Sequence, residues 1–294
     1  MKCSRLSGKL DGLFFIYMKK VAIQGFKGCF HEEAARRFYF DKEGEYPQIV
    51  ECATFAGLYD AMDKGAADAA VMAVENTSSG GLVQNLELLR KNGRKVKGEV
   101  FLHIHQNLMA MPGQKIEDIK EVRTHFMAIN QTRKFFETNA PWINLVESED
   151  TAKSATDIAA AGLMGVGAVA SRLSAEQNGL EILASEIETY NVNYTRFLIM
   201  DDSLEIDRNA VNKASLCFTL PHAPGALAHI LTILSFYEMN LTRIQSLPIP
   251  GQQWQYFFYA DIRFDDYERY QQALTAIKPL MKDLNILGEY VAAV

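Results

Sequence analysis

Ala69-Ala70-Val71-Met72-Ala73-Val74 is an unbroken apolar run, and it empties into Glu75-Asn76-Thr77-Ser78-Ser79-Gly80-Gly81 ahead of a helical stretch from about Leu82 to Lys91. Continuous apolar character suits a strand covered on both faces, which is what helices packed on a sheet provide. The order strand, polar loop, helix therefore predicts α/β layering. Five of the seven loop residues carry hydrogen-bonding side chains, more than a helix cap requires.

The same order recurs on both sides. Upstream, Val21 to Gln24 reads as a strand, Gly25-Phe26-Lys27-Gly28 as a turn, Glu32 to Phe40 as a helix, Ile49 to Cys52 as a strand and Phe55 to Lys64 as a helix. Downstream, Val122-Arg123-Thr124-His125 ends a strand ahead of a helix from Met127 to Glu137. Ile143 to Val146 then leads through Ser148-Glu149-Asp150-Thr151 into a helix from Ala152 to Ala161. Four strand ends thus meet four helix N-termini. In open α/β sheets ligands bind beyond the carboxyl ends of the strands, so these loops are expected to converge on one cleft whose free amides suit an anion. Gly162-Leu163-Met164-Gly165-Val166-Gly167 lacks the spacing of a nucleotide loop and reads as a turn into a small-residue strand, Val166 to Ala170.

A second polar insertion, Asn193-Tyr194-Thr195-Arg196-Phe197, precedes the apolar strand Phe197 to Met200. A hydroxyl beside a guanidinium at a strand mouth can hold a carboxylate. From these residues alone, a loop threonine beside a solvated arginine is the favoured reading.

Composition narrows the class. With 294 residues, 48% hydrophobic and 22% charged, the chain reads as a soluble globular protein of two or three domains. A formal net charge of −6 and the lack of a basic, aromatic-interleaved run argue against nucleic acid as a partner. Cysteines at 3, 29, 52 and 217 show no paired spacing, so neither a zinc ribbon nor a disulfide framework is written here, and a reducing cytoplasm fits. His103 and His105 share a strand face but have no third ligand nearby in sequence, so no metal is assigned. Met18-Lys19-Lys20-Val21-Ala22-Ile23 looks like a native start. Residues 1–17 are set apart from the fold, and their apolar patch, Leu13 to Tyr17, is too short to span a membrane.

Residues 203–212 are poor in apolar side chains and read as a linker. After it come a strand Ala214 to Leu220, a helix opened by Pro224-Gly225-Ala226-Leu227, strands Leu241 to Ile249 and Trp254 to Phe264, a helix Tyr267 to Lys282 and a strand Asn285 to Val291. That is the βαββαβ order of ferredoxin-like folds.

These motifs together resemble the monofunctional prephenate dehydratases. Asn193-x-Thr195-Arg196-Phe197 matches a family signature, and Glu75-Asn76-Thr77-Ser78-Ser79-Gly80 matches its substrate loop residue for residue. Gly25-x-Lys27-Gly28 and Asp150-Thr151-Ala152-x-Ser154-Ala155 match two further loops. The stretch from Thr124 to Thr132 is a weaker match: Phe126 stands where the family has proline, while His125 and Gln131 stay in register. Residues 213–294 resemble the ACT regulatory module through Gly225-Ala226-Leu227 and Ser246-Leu247-Pro248, with Gln245 and Leu247 departing from its usual acid and base.

The resemblance implies a two-lobed α/β catalytic domain over residues 18–202 with an inter-lobe cleft, then a linker and an ACT domain. It implies a carbon–oxygen lyase of phenylalanine biosynthesis that converts prephenate to phenylpyruvate without a cofactor. In that reading Thr195 and His125 are catalytic. Lys27, Asn76, Thr77, Ser78, Ser79, Gly80, Thr124, Gln131, Thr151, Arg196 and Phe197 bind substrate, and Gly225, Ala226, Leu227, Gln245 and Ser246 bind the effector L-phenylalanine. Arg196 either clamps an anion or braces Thr195 from behind. A homodimer or homotetramer is implied, with neither nucleic acid nor membrane as partner. Arogenate dehydratase and a non-catalytic ligand sensor are the alternatives.

Overall fold

The protein is described by a computed structural model covering residues 9–10, 13–14, 18–78 and 80–293. Two short strands, β1 (Lys9–Leu10) and β2 (Leu13–Phe14), pair with each other; the rest of residues 1–17 lies outside the described residues. The first lobe then runs β3 (Lys20–Gln24), α1 (Phe30–Glu43), β4 (Gln48–Cys52), α2 (Phe55–Asp63), β5 (Ala69–Asn76), β6 (Gly80–Gly81), α3 (Val83–Asn92) and β7 (Val96–His103). The second lobe follows with β8 (Asn107–Ala110), β9 (Glu121–His125), α4 (Phe126–Asn139), β10 (Asn144–Ser148), α5 (Thr151–Ala161), β11 (Val166–Ala170), α6 (Arg172–Asn178) and β12 (Glu181–Ala184). The chain returns to the first lobe in β13 (Tyr194–Asp201). It closes with β14 (Lys213–Thr219), α7 (Ala226–Phe236), β15 (Asn240–Pro248), β16 (Tyr256–Arg263), α8 (Tyr267–Ile277) and β17 (Asp283–Tyr290), the expected βαββαβ order.

Each lobe has its own sheet. The second lobe's strands lie in the order β10-β9-β11-β8-β12, with β8 antiparallel to both neighbours. The larger sheet runs β15-β16-β14-β17-β7-β13-β5-β3-β4, with β6 on β5. It therefore crosses the expected domain boundary, through a single parallel register point that sets Gly288 opposite Val96. A Cβ at residue 288 would stand 2.3 Å from the Val96 carbonyl oxygen, so this join requires glycine.

Burial joins the halves as well. One core cluster combines Leu58, Met62, Leu86 and Leu89 of the first lobe with Cys217, Tyr259, Leu287 and Tyr290 of the C-terminal module. The other face of that module is covered by α7 and α8, through Ile230, Leu234, Tyr270 and Leu274. Residues 203–212 form no strand, yet Leu204 and Ile206 dock onto these cores, so the segment is anchored rather than loose.

Two element boundaries differ from expectation for physical reasons. Helix α8 ends at Ile277 and not at Lys282, because Pro279 lacks an amide donor and the chain tightens into a 3-10 turn. Strand β13 begins at Tyr194 instead of Phe197, since Thr195 and Arg196 are buried with polar partners supplied from far along the chain. None of the described helices is long and apolar enough to cross a membrane.

Candidate active site

A cavity of about 260 Å³ lies between the lobes, and the four expected strand-to-helix junctions meet there. Cys29 and Phe30 come from the start of α1, Leu82 from that of α3, His125 and Met127 from α4, and Asp150 and Thr151 from α5. Among the described lining residues there is neither lysine nor arginine. Positive potential for an anion is therefore left to the N-terminal ends of these helices.

Thr195 and Phe197 share one face of β13 and both line the cavity. Thr195 is 9% exposed, and its Oγ1 accepts from Asn76 Nδ2 at 2.9 Å. The same amide group donates to Asn193 Oδ1 at 2.9 Å. Asn193 in turn donates to Gln131 Oε1 at 3.3 Å, which also accepts from Gln106 Nε2 at 3.0 Å. Ser78 reaches this network from the serine loop, its Oγ 3.4 Å from Asn193 Oδ1. With its oxygen already accepting, the Thr195 hydroxyl is left to donate its proton, and no described residue accepts it.

His125 ends β9 and caps α4, its Nδ1 accepting from the Met127 amide at 3.3 Å. In the neutral ring the proton then sits on Nε2, a donor at the cavity wall. His31 is partly buried and lines the same cavity. Burial lowers its pKa to about 4, so the ring is neutral at physiological pH, with Nε2 accepting from the Ala73 amide at 3.3 Å. Burial pushes the Cys29 thiol up to about 12, which keeps it protonated and unreactive. Burial also raises Asp150 above the usual carboxylate range, against the pull of the α5 amides it caps.

Other expected site residues fall elsewhere. Arg196 alternates to the opposite face of β13, away from the cavity. It is 3% exposed, with Nε on Glu99 at 2.7 Å, one terminal nitrogen on Asp261 and the other on the Tyr290 hydroxyl at 2.8 Å. Lys213 joins through Glu99 at 2.8 Å. Burial opposes the charge of Arg196, and Tyr290, Asp261 and Glu99 outweigh that opposition. Burial would likewise raise Asp261, but Arg196 holds its carboxyl below the ordinary range. Each nitrogen of the guanidinium already has an internal partner, so the side chain stands behind Thr195 and does not reach the cavity.

Thr124 is fully buried and donates to the Val169 carbonyl at 2.6 Å, which ties β9 to β11 and leaves nothing for a ligand. Lys27 is exposed and outside the cavity lining; its amide donates to Glu51 at 2.6 Å. Thr77 spends its hydroxyl on Val192 O and the Tyr194 amide. Gly80 is exposed at φ +80°, and Ser79 lies outside the described residues.

In the C-terminal module, Gly225 caps α7 at φ +80° directly ahead of Ala226 and Leu227. Gln245 and Ser246 face opposite sides of β15. A Cβ on Gly81 would meet Gln245 Oε1 at 2.6 Å, so Gln245 touches the strand that follows the serine loop, whereas Ser246 is exposed. Sequence reading missed His31, Gln106 and the part Asn193 plays, because each acquires its role from a partner more than one element away.

A profile of the prephenate dehydratase family matches residues 21–204. The chain is 32% identical over 268 residues to a prephenate dehydratase of Methanocaldococcus jannaschii, covering 90% of this chain and 95% of that one. It is 33% identical over 289 residues to arogenate dehydratase 2 of Petunia hybrida, covering 92% and 71%. Among solved structures, a prephenate dehydratase from Arthrobacter aurescens in complex with L-Phe superposes with a TM-score of 0.79 at 28% identity, covering 92% and 90%. A protein described as a novel type of quorum-quenching acylase, GqqA, superposes at 0.82 with 29% identity, covering 94% and 98%. With the profile match spanning most of both lobes around the Thr195 cleft, the chain belongs to the prephenate dehydratase family.

Proposed function

We propose that the chain converts prephenate to phenylpyruvate, with Thr195 as the residue that assists departure of the ring hydroxyl. The carrying observation is the Thr195 hydroxyl, fixed by Asn76 with its proton left to give, in a cleft bounded by four helix N-termini. The C–C bond to the ring carboxylate breaks and its electron pair enters the ring. The C4–O bond breaks as the pair leaves with oxygen, and one proton turns the departing hydroxide into water. Aromatisation drives the step, so neither a nucleophile nor a redox cofactor is called for.

Threonine is a poor acid, so its part is hydrogen bonding to the oxygen as charge develops there, in a cleft that excludes water. His125, through Nε2–H, would be a second hydrogen-bond donor to the same oxygen, and a solvent proton completes the water once hydroxide has left. Helix amides orient the two carboxylates. Asn76, Asn193, Gln131 and Ser78 form the polar wall that holds Thr195 in place and can reach the substrate's oxygens.

A second reading has its own support. Glu149 and Asp150 also line the cavity, and a carboxylate there would pair with the ammonium of arogenate, the substrate named for the Petunia relative. Phenylpyruvate formation from prephenate at neutral pH, against a no-enzyme control and with arogenate in parallel, separates the two. Thr195→Ala is expected to lower kcat about a hundredfold or more with the fold intact. Near-normal turnover in that variant removes Thr195 from the mechanism, and binding without turnover in the wild type points to a sensor.

Regulation by L-phenylalanine through an ACT-type C-terminal module, with its carboxylate on the α7 amides after Gly225, is part of the same reading, supported by the L-Phe complex of the Arthrobacter relative. Pairing of modules into a dimer or tetramer is favoured by β15, which ends its sheet with Ile244 42% exposed. A cytoplasmic enzyme with protonated, unpaired Cys29 and Cys217 is consistent with both.

A further inference from the structure

The chain passes between the lobes twice, outward through residues 104–106 and back through residues 185–193. The two passages lie side by side, with the Ile104 amide on Asn193 O at 2.7 Å and the Ile187 amide on Gln106 O at 2.9 Å. Beside them stands a cluster the proposed chemistry does not use. Ligand atoms of His103, His105 and Glu188 lie within 4.8 Å of one another. We propose that these three residues bind one divalent transition ion of the Zn2+ type, which staples the outward passage to the returning one.

The donor set is that of an open three-ligand site: two imidazoles and one carboxylate, with the fourth position left for water. His103 and His105 have ring centroids 3.9 Å apart, and Tyr194 stacks on His103 at 4.5 Å and 11°. His103 Nε2 donates to the Asn191 carbonyl at 2.7 Å, which in the neutral ring leaves the lone pair on Nδ1. A backbone carbonyl in this role fixes ring and tautomer for a metal-binding histidine.

His105 Nδ1 and Glu188 Oε1 are 2.9 Å apart, and the Glu188 side chain is 4% exposed with Oε2 accepting from the Gln106 amide at 2.9 Å, so the carboxylate is held in position beside the rings. The ion takes the place of the proton between them. That proton moves to His105 Nε2, whose ring is 36% exposed to water, and no net proton is released. Tetrahedral bonds of about 2.0–2.1 Å set ligand atoms roughly 3.4 Å apart, so the widest pair closes by up to about 1.4 Å while His105 Nδ1 and Glu188 Oε1 open by about 0.5 Å, shifts that side-chain rotation supplies. Access is through a cavity of about 580 Å³ that His103 and His105 help line and that shares only Phe30 with the 260 Å³ cleft. No turnover is needed to test this site.

The test is metal titration of the chelator-treated full chain by calorimetry with Zn2+ and by absorption with Co2+. The expected result is one ion per chain, four-coordinate Co2+ bands with no thiolate charge-transfer band, and Kd raised about tenfold or more in His103→Gln and in His105→Gln. Exchange of the Ile104 and Ile187 amides should slow when Zn2+ is added. Unchanged affinity in both variants, a thiolate band, or no binding at millimolar metal overturns the site. Binding with unaltered amide exchange overturns the staple.

Discussion

His31 makes the stability of this protein depend on pH between about 6.5 and 4. Its pKa falls from an ordinary 6.5 to about 4 because the ring is drawn out of water beside Phe55 and Phe197. Between those values the unfolded chain binds a proton that the folded chain refuses, so stability rises with pH. The contribution is fully present above about pH 6.5 and is lost as pH falls toward 4. Integrating the two titrations gives about 2.4 kcal/mol between pH 7 and pH 4.5, and roughly 3 kcal/mol in the limit.

His31→Gln removes the titration while keeping an acceptor for the Ala73 amide. Urea unfolding of both proteins at half-unit steps from pH 7 to pH 4.5 isolates the effect, because carboxylates common to the two cancel in the difference. The wild type should lose about 2.4 kcal/mol more than the variant over that range. Parallel curves would refute the argument that desolvation keeps His31 neutral.

Two further outcomes test the junction between the halves. Asp261→Ala strands part of the Arg196 charge inside the protein and should cost about 3 kcal/mol or more, read as a lowered urea midpoint. Gly288→Ala drives a Cβ into the Val96 backbone, which cannot give way, and should cost about 2 kcal/mol or more, with faster exchange of the β7 and β17 amides.

Patterning made the strand-to-helix junctions legible: the apolar runs Val21 to Ile23, Ala69 to Val74 and Val166 to Ala170 need no distant partner to declare themselves. The C-terminal βαββαβ order was legible for the same reason. Arg196 was not. Its neighbours in sequence are polar, so the strand appeared to begin at Phe197, and at the mouth of a strand Thr195 and Arg196 would point to the same ligand. Extending β13 to Tyr194 sends them to opposite faces, and what draws Arg196 inward is Glu99 and Asp261, 97 and 65 residues away. Glu188, 83 residues beyond His105, escaped notice by the same distance. Thr124 shows the converse: a hydroxyl in a matching motif can serve the sheet alone.

The guanidinium that fastens the C-terminal module sits one peptide unit from Thr195, and the module's sheet and core are continuous with those of the first lobe. Evolution and engineering alike are constrained by this. The module is no cassette: a chain cut after residue 202 would bare the flank of β7, one side of a shared apolar core and two buried charges, Glu99 and Arg196. Removing the module is expected to unsettle the lobe that holds Thr195, so the proposed control by L-phenylalanine would be altered by point changes within the module and not by its loss.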